Sequence, residues 1–135
     1  MVYINTDGSC DCSSREGGWS YIVEGKSFSG MEWDTTSNRM ELLAAIKALE
    51  HFNVPQEIIV LSDSQYVVQG ISKHIKSWLK NGWKNYKNQP VKNQDLWENL
   101  LAAKNNHNQV LFKWVPRENN TRADGVARKA RGVKP

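Results

Sequence analysis

The sequence predicts a mixed α/β fold, a five-stranded sheet with helices on its faces, and three observations carry that prediction. Short segments of alternating or continuous apolar residues, the mark of strands, fill the first quarter of the chain and recur twice later. Between and after the later strands lie stretches with apolar residues at helical spacing. The resulting order, β-β-β-α-β-α-α-α-β-α, opens as an antiparallel meander. It continues with helix-linked strands, which run parallel in right-handed crossovers.

Each element has its own signal. Val2 to Thr6 reads as a strand ending at Asp7-Gly8-Ser9. Gly17-Gly18 marks a turn into the meander. Trp19 to Glu24 alternates as a half-buried strand does, Gly25 breaks the run, and Lys26 to Trp33 pairs back. Leu42, Ala45, Ile46 and Leu49 form one helical face, with Thr35, Thr36, Ser37 and Asn38 as N-cap candidates before it. The continuous apolar run Ile58-Ile59-Val60-Leu61 suits a central strand covered on both faces. Val67, Val68 and Ile71 start a second helix, which Gly70 loosens and in which Ile75, Trp78 and Leu79 continue the apolar face. Trp83 to Asn93 reads as an extended polar connection. Leu96, Trp97, Leu100 and Leu101 define a helix over Asp95 to Lys104. Gln109 to Val115 is the last strand and Thr121 to Ala130 the last helix. The final five residues are expected to fray.

A chain of 135 residues is long enough for one core and too short for two. Neither a repeat nor a linker divides it, so residues 1–135 are expected to form one domain. No stretch approaches the roughly 18 apolar residues of a membrane span, and the N-terminus does not resemble a secretion signal. The expectation is a complete, cytoplasmic, monomeric protein. Cys10 and Cys12 are too few for a zinc site without nearby histidines. They are expected to be free thiols in a loop.

The net charge of +4 favours polyanionic partners without proving them. Its distribution is more informative. From Ser64 to Gln94 there is no acidic residue, while Lys73, Lys76, Lys80, Lys84, Lys87 and Lys92 fall in that interval. Such a segment is a candidate footprint for nucleic acid, or equally a solvated face that keeps the protein soluble.

The acids are placed more tellingly. Asp7 and Asp63 sit at the carboxyl ends of the first and fourth strands, where ligands gather in open α/β sheets. Glu41 and Asp124 are expected in the first turns of the helices after the third and fifth strands. Each has a plain alternative. Asp7 before Gly8 fits a turn. Glu41, three residues after Asn38, has capping-box spacing. Asp63 and Asp124 suit helix N-termini. Together, however, the four meet the needs of one site. Carboxylates packed closely repel and raise one another's pKa values. Hard divalent cations resolve this, magnesium above all beside phosphates, and a pair of them can clamp the attacking and leaving oxygens of a phosphodiester.

The segments Thr6-Asp7-Gly8-Ser9, Asn38-Arg39-Met40-Glu41-Leu42, Ser62-Asp63-Ser64-Gln65-Tyr66-Val67 and Ala123-Asp124 with Ala127-Arg128 resemble, in order, the signatures of type 1 ribonuclease H. The resemblance runs from Val2 to about Ala130. It implies an endoribonuclease that hydrolyses the RNA strand of RNA–DNA hybrids to 3′-hydroxyl and 5′-phosphate ends. Asp7, Glu41, Asp63 and Asp124 would be ligands of two magnesium ions, with manganese as a substitute. It further implies that the backbone near Gly8 and Cys10, with Ser37, Asn38, Glu41 and Gln65, reads RNA 2′-hydroxyls. Thr36 and Asn93 would hold a DNA-strand phosphate, and Trp78 would lie against DNA sugars. Residues 73–93 resemble a basic handle, whose Lys76, Lys80, Lys84 and Lys87 would touch phosphates without regard to sequence. Trp78 equally fits a helix's core-facing position.

Four features depart from the family pattern. The loop Pro116 to Ala123 lacks the histidine many members carry, leaving Arg117, Glu118 and Asn120 as candidate substitutes and implying slower turnover. Asp34 stands where an arginine often supports the phosphate pocket, a repulsive choice unless it is paired. His74 replaces a common tryptophan, and Gly125 loosens the helix start beside Asp124. Two further readings share these features. One is a two-metal nuclease or strand transferase of the same fold acting on DNA. The other is a hybrid-binding module without catalysis, which would have no need of four carboxylates.

Overall fold

The computed structural model describes residues 1–131. Strands β1 (Val2–Cys10), β2 (Gly17–Val23) and β3 (Lys26–Glu32) form the meander. Strands β4 (Glu57–Ser62) and β5 (Gln109–Trp114) then extend the sheet in the order β3-β2-β1-β4-β5. The β1–β4 and β4–β5 pairs are parallel and the other two antiparallel, as the order of elements predicts.

Helix α1 (Ser37–Glu50) begins at the Thr36 cap, whose hydroxyl accepts from the Arg39 N–H. This excludes the capping box: the N3 residue is Arg39, and Glu41 lies in the second turn, not the first. The four predicted apolar residues of α1 are buried together with Met40, Ala44 and Ala48. Helix α2 (Gln65–Gln69) is capped by Ser64 and runs through a π-turn (Gly70–His74) into α3 (Ile75–Lys80). Gly70 does more than loosen the helix. A Cβ there would lie 2.1 Å from the Trp97 indole, so this glycine lets α2 cross α4 (Gln94–Asn105) closely. Leu79 turns out to be exposed, because the π-turn rotates the residues after it out of the expected register.

A 3₁₀ turn (Arg117–Asn119) leads into α5 (Thr121–Ala130). The two main layers are separated at β2. A Cβ on Gly17 would strike Thr35 and Met40 on the α1 side, and one on Gly18 would strike Ala127 and Arg131 on the α5 side. These glycines are therefore the first residues of β2, not a turn. The turn itself falls earlier, where Asp11 Oδ1 accepts from the N–H groups of Ser13 and Ser14. Glu24 and Gly25, with φ of 52° and 78°, make the next hairpin turn, the left-handed geometry expected of a two-residue connection.

Trp83 to Asn93 is not extended. Asn85 Oδ1 accepts from the Lys87 and Gln89 N–H groups, and Val91 N–H donates to Trp83 O, so the segment closes on itself and inserts Val91 into the core. Its bends include positive φ at Trp83, Asn88 and Asn93. Cys10 ends β1, and only Cys12 lies in the loop; both thiols are free. Among the described residues no helix is long and apolar enough to cross a membrane. Of the five terminal residues expected to fray, 132–135 lie outside the described residues.

Candidate active site

Asp7 does not terminate a turn. It lies within β1, opposite Ser20 of β2 and one residue beyond the last parallel pair, Thr6 with Ser62. The sheet thus splits after Thr6: β1 continues with β2, and β4 turns away through Asp63 into α2. Two carboxylates meet at that split. Asp63 is held between the Ser62 hydroxyl, which accepts from Ser64 N–H, and the Trp114 indole N–H, which donates to Asp63 O. Glu41 arrives from above. Gly8 makes this possible, since a Cβ there would lie 2.3 Å from Glu41 N and 2.4 Å from the Met40 carbonyl carbon. Its φ is not positive, so Gly8 is required for close approach and not for a bend.

Asp7, Glu41 and Asp63 present one oxygen each within 4.8 Å of one another. Asp7 is 3% exposed, and burial, followed by Glu41, Asp63 and Asp124, pushes its pKa up to about 10. Burial first and Asp63 second push Glu41 to about 8, against opposing pulls from Asp7, the Gly8 N–H and Arg117. Glu41 Oε1 is buried without a hydrogen-bond partner. An all-oxygen donor set, mutual repulsion and an orphaned carboxylate oxygen fit a hard divalent cation.

Asp124, in the first turn of α5, stands near enough to Asp7 to help raise its pKa but outside the tight group of three. It pairs with Arg128 Nε at 3.1 Å. Arg117 Nε stands 3.8 Å from Asp63 Oδ2 while its side chain is 74% exposed, so this cation is poised at the mouth of the cluster. Glu118 is exposed in the same loop and lines a cleft with Asn119 and Arg122. Asn120 is not available to replace a loop histidine. It is 2% exposed, and both ends of its amide are engaged within the fold.

The other predicted site residues fall into two groups. Ser37, Asn38 and Gln65 are exposed at the starts of α1 and α2. Cys10 turns its thiol inward to Thr35 O at 3.5 Å, leaving the thiol no outward role. A cleft beside it is lined by Cys10, Arg15, Thr35, Thr36 and Ser37, and the Thr35 hydroxyl in it has no partner. Asp34 is paired with Arg15 Nε at 2.7 Å, which neutralises the repulsion expected of an acid there.

Asn93, with φ of 62°, donates to Tyr66 Oη and accepts from Arg39 Nη1. Trp97 Nε1 donates to the same Tyr66 oxygen, and Arg39 makes a bidentate pair with Asp95. Trp78 is half-buried, edge-on to Trp97 at 5.2 Å and tilted against Trp83 and exposed His74. It serves the core and presents a face outward. Lys76, Lys80, Lys84 and Lys87 are all exposed, the last over the Tyr86 ring at 5.6 Å.

Sequence reasoning missed three groups. Arg39, in the sequence only part of a motif, ties α1 to Asn93 and Asp95. Ser20 and Asn120 engage the backbone beside the acids, which no local spacing announces. His51 and His107 are structural: His51 Nδ1 meets Tyr21 Oη, and His107 bridges Leu49 O and Gln56 N–H.

Comparison with known proteins agrees along the whole described chain. The family profile RNase H matches residues 1–131. Ribonuclease H of Rhizobium meliloti is 46% identical over 142 aligned positions, covering 99% of this chain and 91% of that protein. The Chromobacterium violaceum ribonuclease H is 43% identical, covering 95% and 92%, and the Xylella fastidiosa ribonuclease HI is 45% identical, covering 95% and 90%. Among solved structures, LC9-RNase H1, described as a type 1 RNase H with the type 2 active-site motif, superposes with a TM-score of 0.84. It is 27% identical, with 97% of this chain and 72% of that chain covered. LC11-RNase H1, solved in complex with an RNA/DNA hybrid, shares the fold with a TM-score of 0.78 at 23% identity, over 96% of each chain. With a profile match across residues 1–131 and relatives above 40% identity over nearly its full length, the chain belongs to the ribonuclease H family.

Proposed function

We propose that this protein hydrolyses the RNA strand of RNA–DNA hybrids by two-metal catalysis, leaving 3′-hydroxyl and 5′-phosphate ends. The observation that carries the reading is the close trio of buried Asp7 with half-buried Glu41 and Asp63, and an orphaned oxygen on Glu41. Carboxylates packed this closely repel one another, and a hard divalent cation relieves that repulsion. Asp7, Glu41, Asp63 and Asp124 would hold two magnesium ions, with manganese as a substitute. Those ions would supply an activated water and stabilise charge on the phosphate oxygens.

The protein's own groups do the rest. Asp7 and Asp63 would define where the scissile phosphate sits, because Asp7 lies within β1 and Asp63 directly follows the end of β4. Arg117, beside Asp63 and largely exposed, is free to swing to a phosphate oxygen. With Glu118 it takes the place of the missing loop histidine. Ser37, Asn38 and Gln65, with the backbone of Gly8 and Cys10, face the RNA strand and read its 2′-hydroxyls. Thr36, Asn93 and Trp78 address the DNA strand. Lys76, Lys80, Lys84 and Lys87 hold the duplex electrostatically.

The test is cleavage of an end-labelled RNA–DNA hybrid in magnesium and in manganese, beside duplex DNA, duplex RNA and single-stranded RNA. Hybrid-only cutting that disappears in Asp63→Asn is expected. Cutting of duplex DNA would favour a nuclease of the same fold with another substrate. Tight hybrid binding with no cutting would favour a binding module.

A further inference from the structure

Asn120 is a buried polar residue in the loop that precedes α5, 114 residues in sequence from the strand it touches. Its Nδ2 donates to Thr6 O at 2.8 Å, and its Oδ1 accepts from Asn5 Nδ2 at 3.0 Å. The carbonyl of Thr6 can only accept, which fixes the amide's orientation. The backbone carbonyl of Asn120 in turn accepts from Asp124 N–H at 3.1 Å. One residue therefore joins the peptide just before Asp7 to the amide of Asp124. A second tether runs alongside. Ser20, fully buried and paired in register with Asp7, donates its hydroxyl to Ala123 O at 2.6 Å. Ala123 immediately precedes Asp124. Both bonds run from the strands that carry or flank Asp7 to the turn that carries Asp124.

We propose that Asn120, assisted by Ser20, is a positioning residue that clamps the start of α5 to β1 and sets Asp124 at its working distance from Asp7. The inference rests on the reading of Asp124 as a metal ligand. It also supplies what Gly125 takes away. Nothing lies within 4 Å of a Cβ built there, so the helix start is held by these side chain-to-backbone bonds and not by packing at that point. Aspartate could not serve in place of Asn120. It would accept from Asn5 but present a second acceptor to Thr6 O, and it would add charge beside an acidic cluster.

The experiment is a double-mutant cycle read by calorimetric titration of Mn²⁺ into the full-length protein without nucleic acid, on wild type, Asn120→Ala, Asp124→Asn and the double variant. Asn120→Ala is expected to weaken Mn²⁺ binding about 10-fold, the usual scale for a residue that orients a ligand. That loss should vanish in the Asp124→Asn background, because the clamp acts only through Asp124. In cleavage of a hybrid, kcat should fall with KM unchanged. Ser20→Ala carries the same cycle if Asn120→Ala fails to fold. An equal loss in both backgrounds, or unchanged binding in a folded Asn120→Ala, would overturn the clamp; the metal-centre reading would stand as long as Asp63→Asn abolishes binding. Failure of wild type to bind Mn²⁺ would overturn both.

Discussion

The acidic centre and the basic handle are built on opposite terms. The carboxylates sit in β1, just past the end of β4 and on two helices, Asp7 buried and the others half-buried, and crowded by their own charge. The handle lysines stand on a short helix and a self-closed loop, all exposed and without an acidic residue nearby in sequence. The centre is therefore a device of position, in which a shift of an ångström is felt. The handle is one of charge, screened by salt and tolerant of movement. Substitutions in the first should alter chemistry at fixed affinity, and those in the second should alter affinity at fixed chemistry.

The largest effect expected is at Asp63. Asp63→Asn should lower kcat on a hybrid by at least on the order of 10²–10³-fold, as loss of one preorganised electrostatic group does, measured under single-turnover conditions. Equal cleavage by mutant and wild type would remove Asp63 from the reaction.

Gly8→Ala comes next and tests position directly. Its methyl group would meet the backbone of α1, which cannot yield as a flexible side chain does. Denaturant unfolding should show a loss of about 1–3 kcal/mol, the usual cost of overpacking. kcat should fall further than stability alone explains, since Glu41 is displaced. A stable variant of normal kcat would mean that α1 has room to spare.

On the handle side, replacing Lys76, Lys80, Lys84 and Lys87 together by alanine should leave kcat nearly constant and raise KM. The slope of log affinity against log salt should shrink by up to about 0.9 per lysine lost, read from binding to an uncleavable hybrid across salt concentrations. An unchanged slope would return these lysines to the role of a solvated face.

The smallest effect concerns pH. Folded Asp7 and Glu41 keep their protons up to about pH 10 and 8, whereas unfolded carboxyls lose theirs near pH 4. From about pH 4 upward through 8 and 10 the folded state thus binds more protons than the unfolded one. Without metal, this contribution to stability is full below pH 4 and falls as pH rises. Thermal melts in chelator should show that decline, and magnesium should reduce it. A contribution from these groups that strengthens with pH in chelator would contradict the burial of the pair.

Much of this was legible before any coordinates. Periodicity places all five strands and the main helices, because most of them bury an apolar face and β3 packs Phe28 against the core. The acids stood out because strand ends and helix starts are identifiable locally. What local pattern could not report was which backbone would press on which. Gly8 and Gly17-Gly18 read as turn residues, yet they are sites of close approach to α1 and α5, chain partners distant in sequence. Trp83 to Asn93 looked extended because its closure depends on an asparagine side chain and on Val91 entering the core. Asn120 reads as a candidate substitute for the loop histidine because its true partners, Asn5 and Thr6, are distant in sequence. Glu41 was placed one turn early because the true cap, Thr36, precedes the residue from which the capping box was counted.

The central claim is that the buried carboxylates are a metal centre whose charge is balanced by protons until a cation arrives. Titrating magnesium into the protein at pH 7, in two buffers of different ionisation enthalpy, counts the protons displaced. With Asp7 raised to about 10 and Glu41 to about 8, binding should release protons, and the release should disappear along with binding in Asp63→Asn. Magnesium binding with no proton release, or undiminished in Asp63→Asn, would contradict the account.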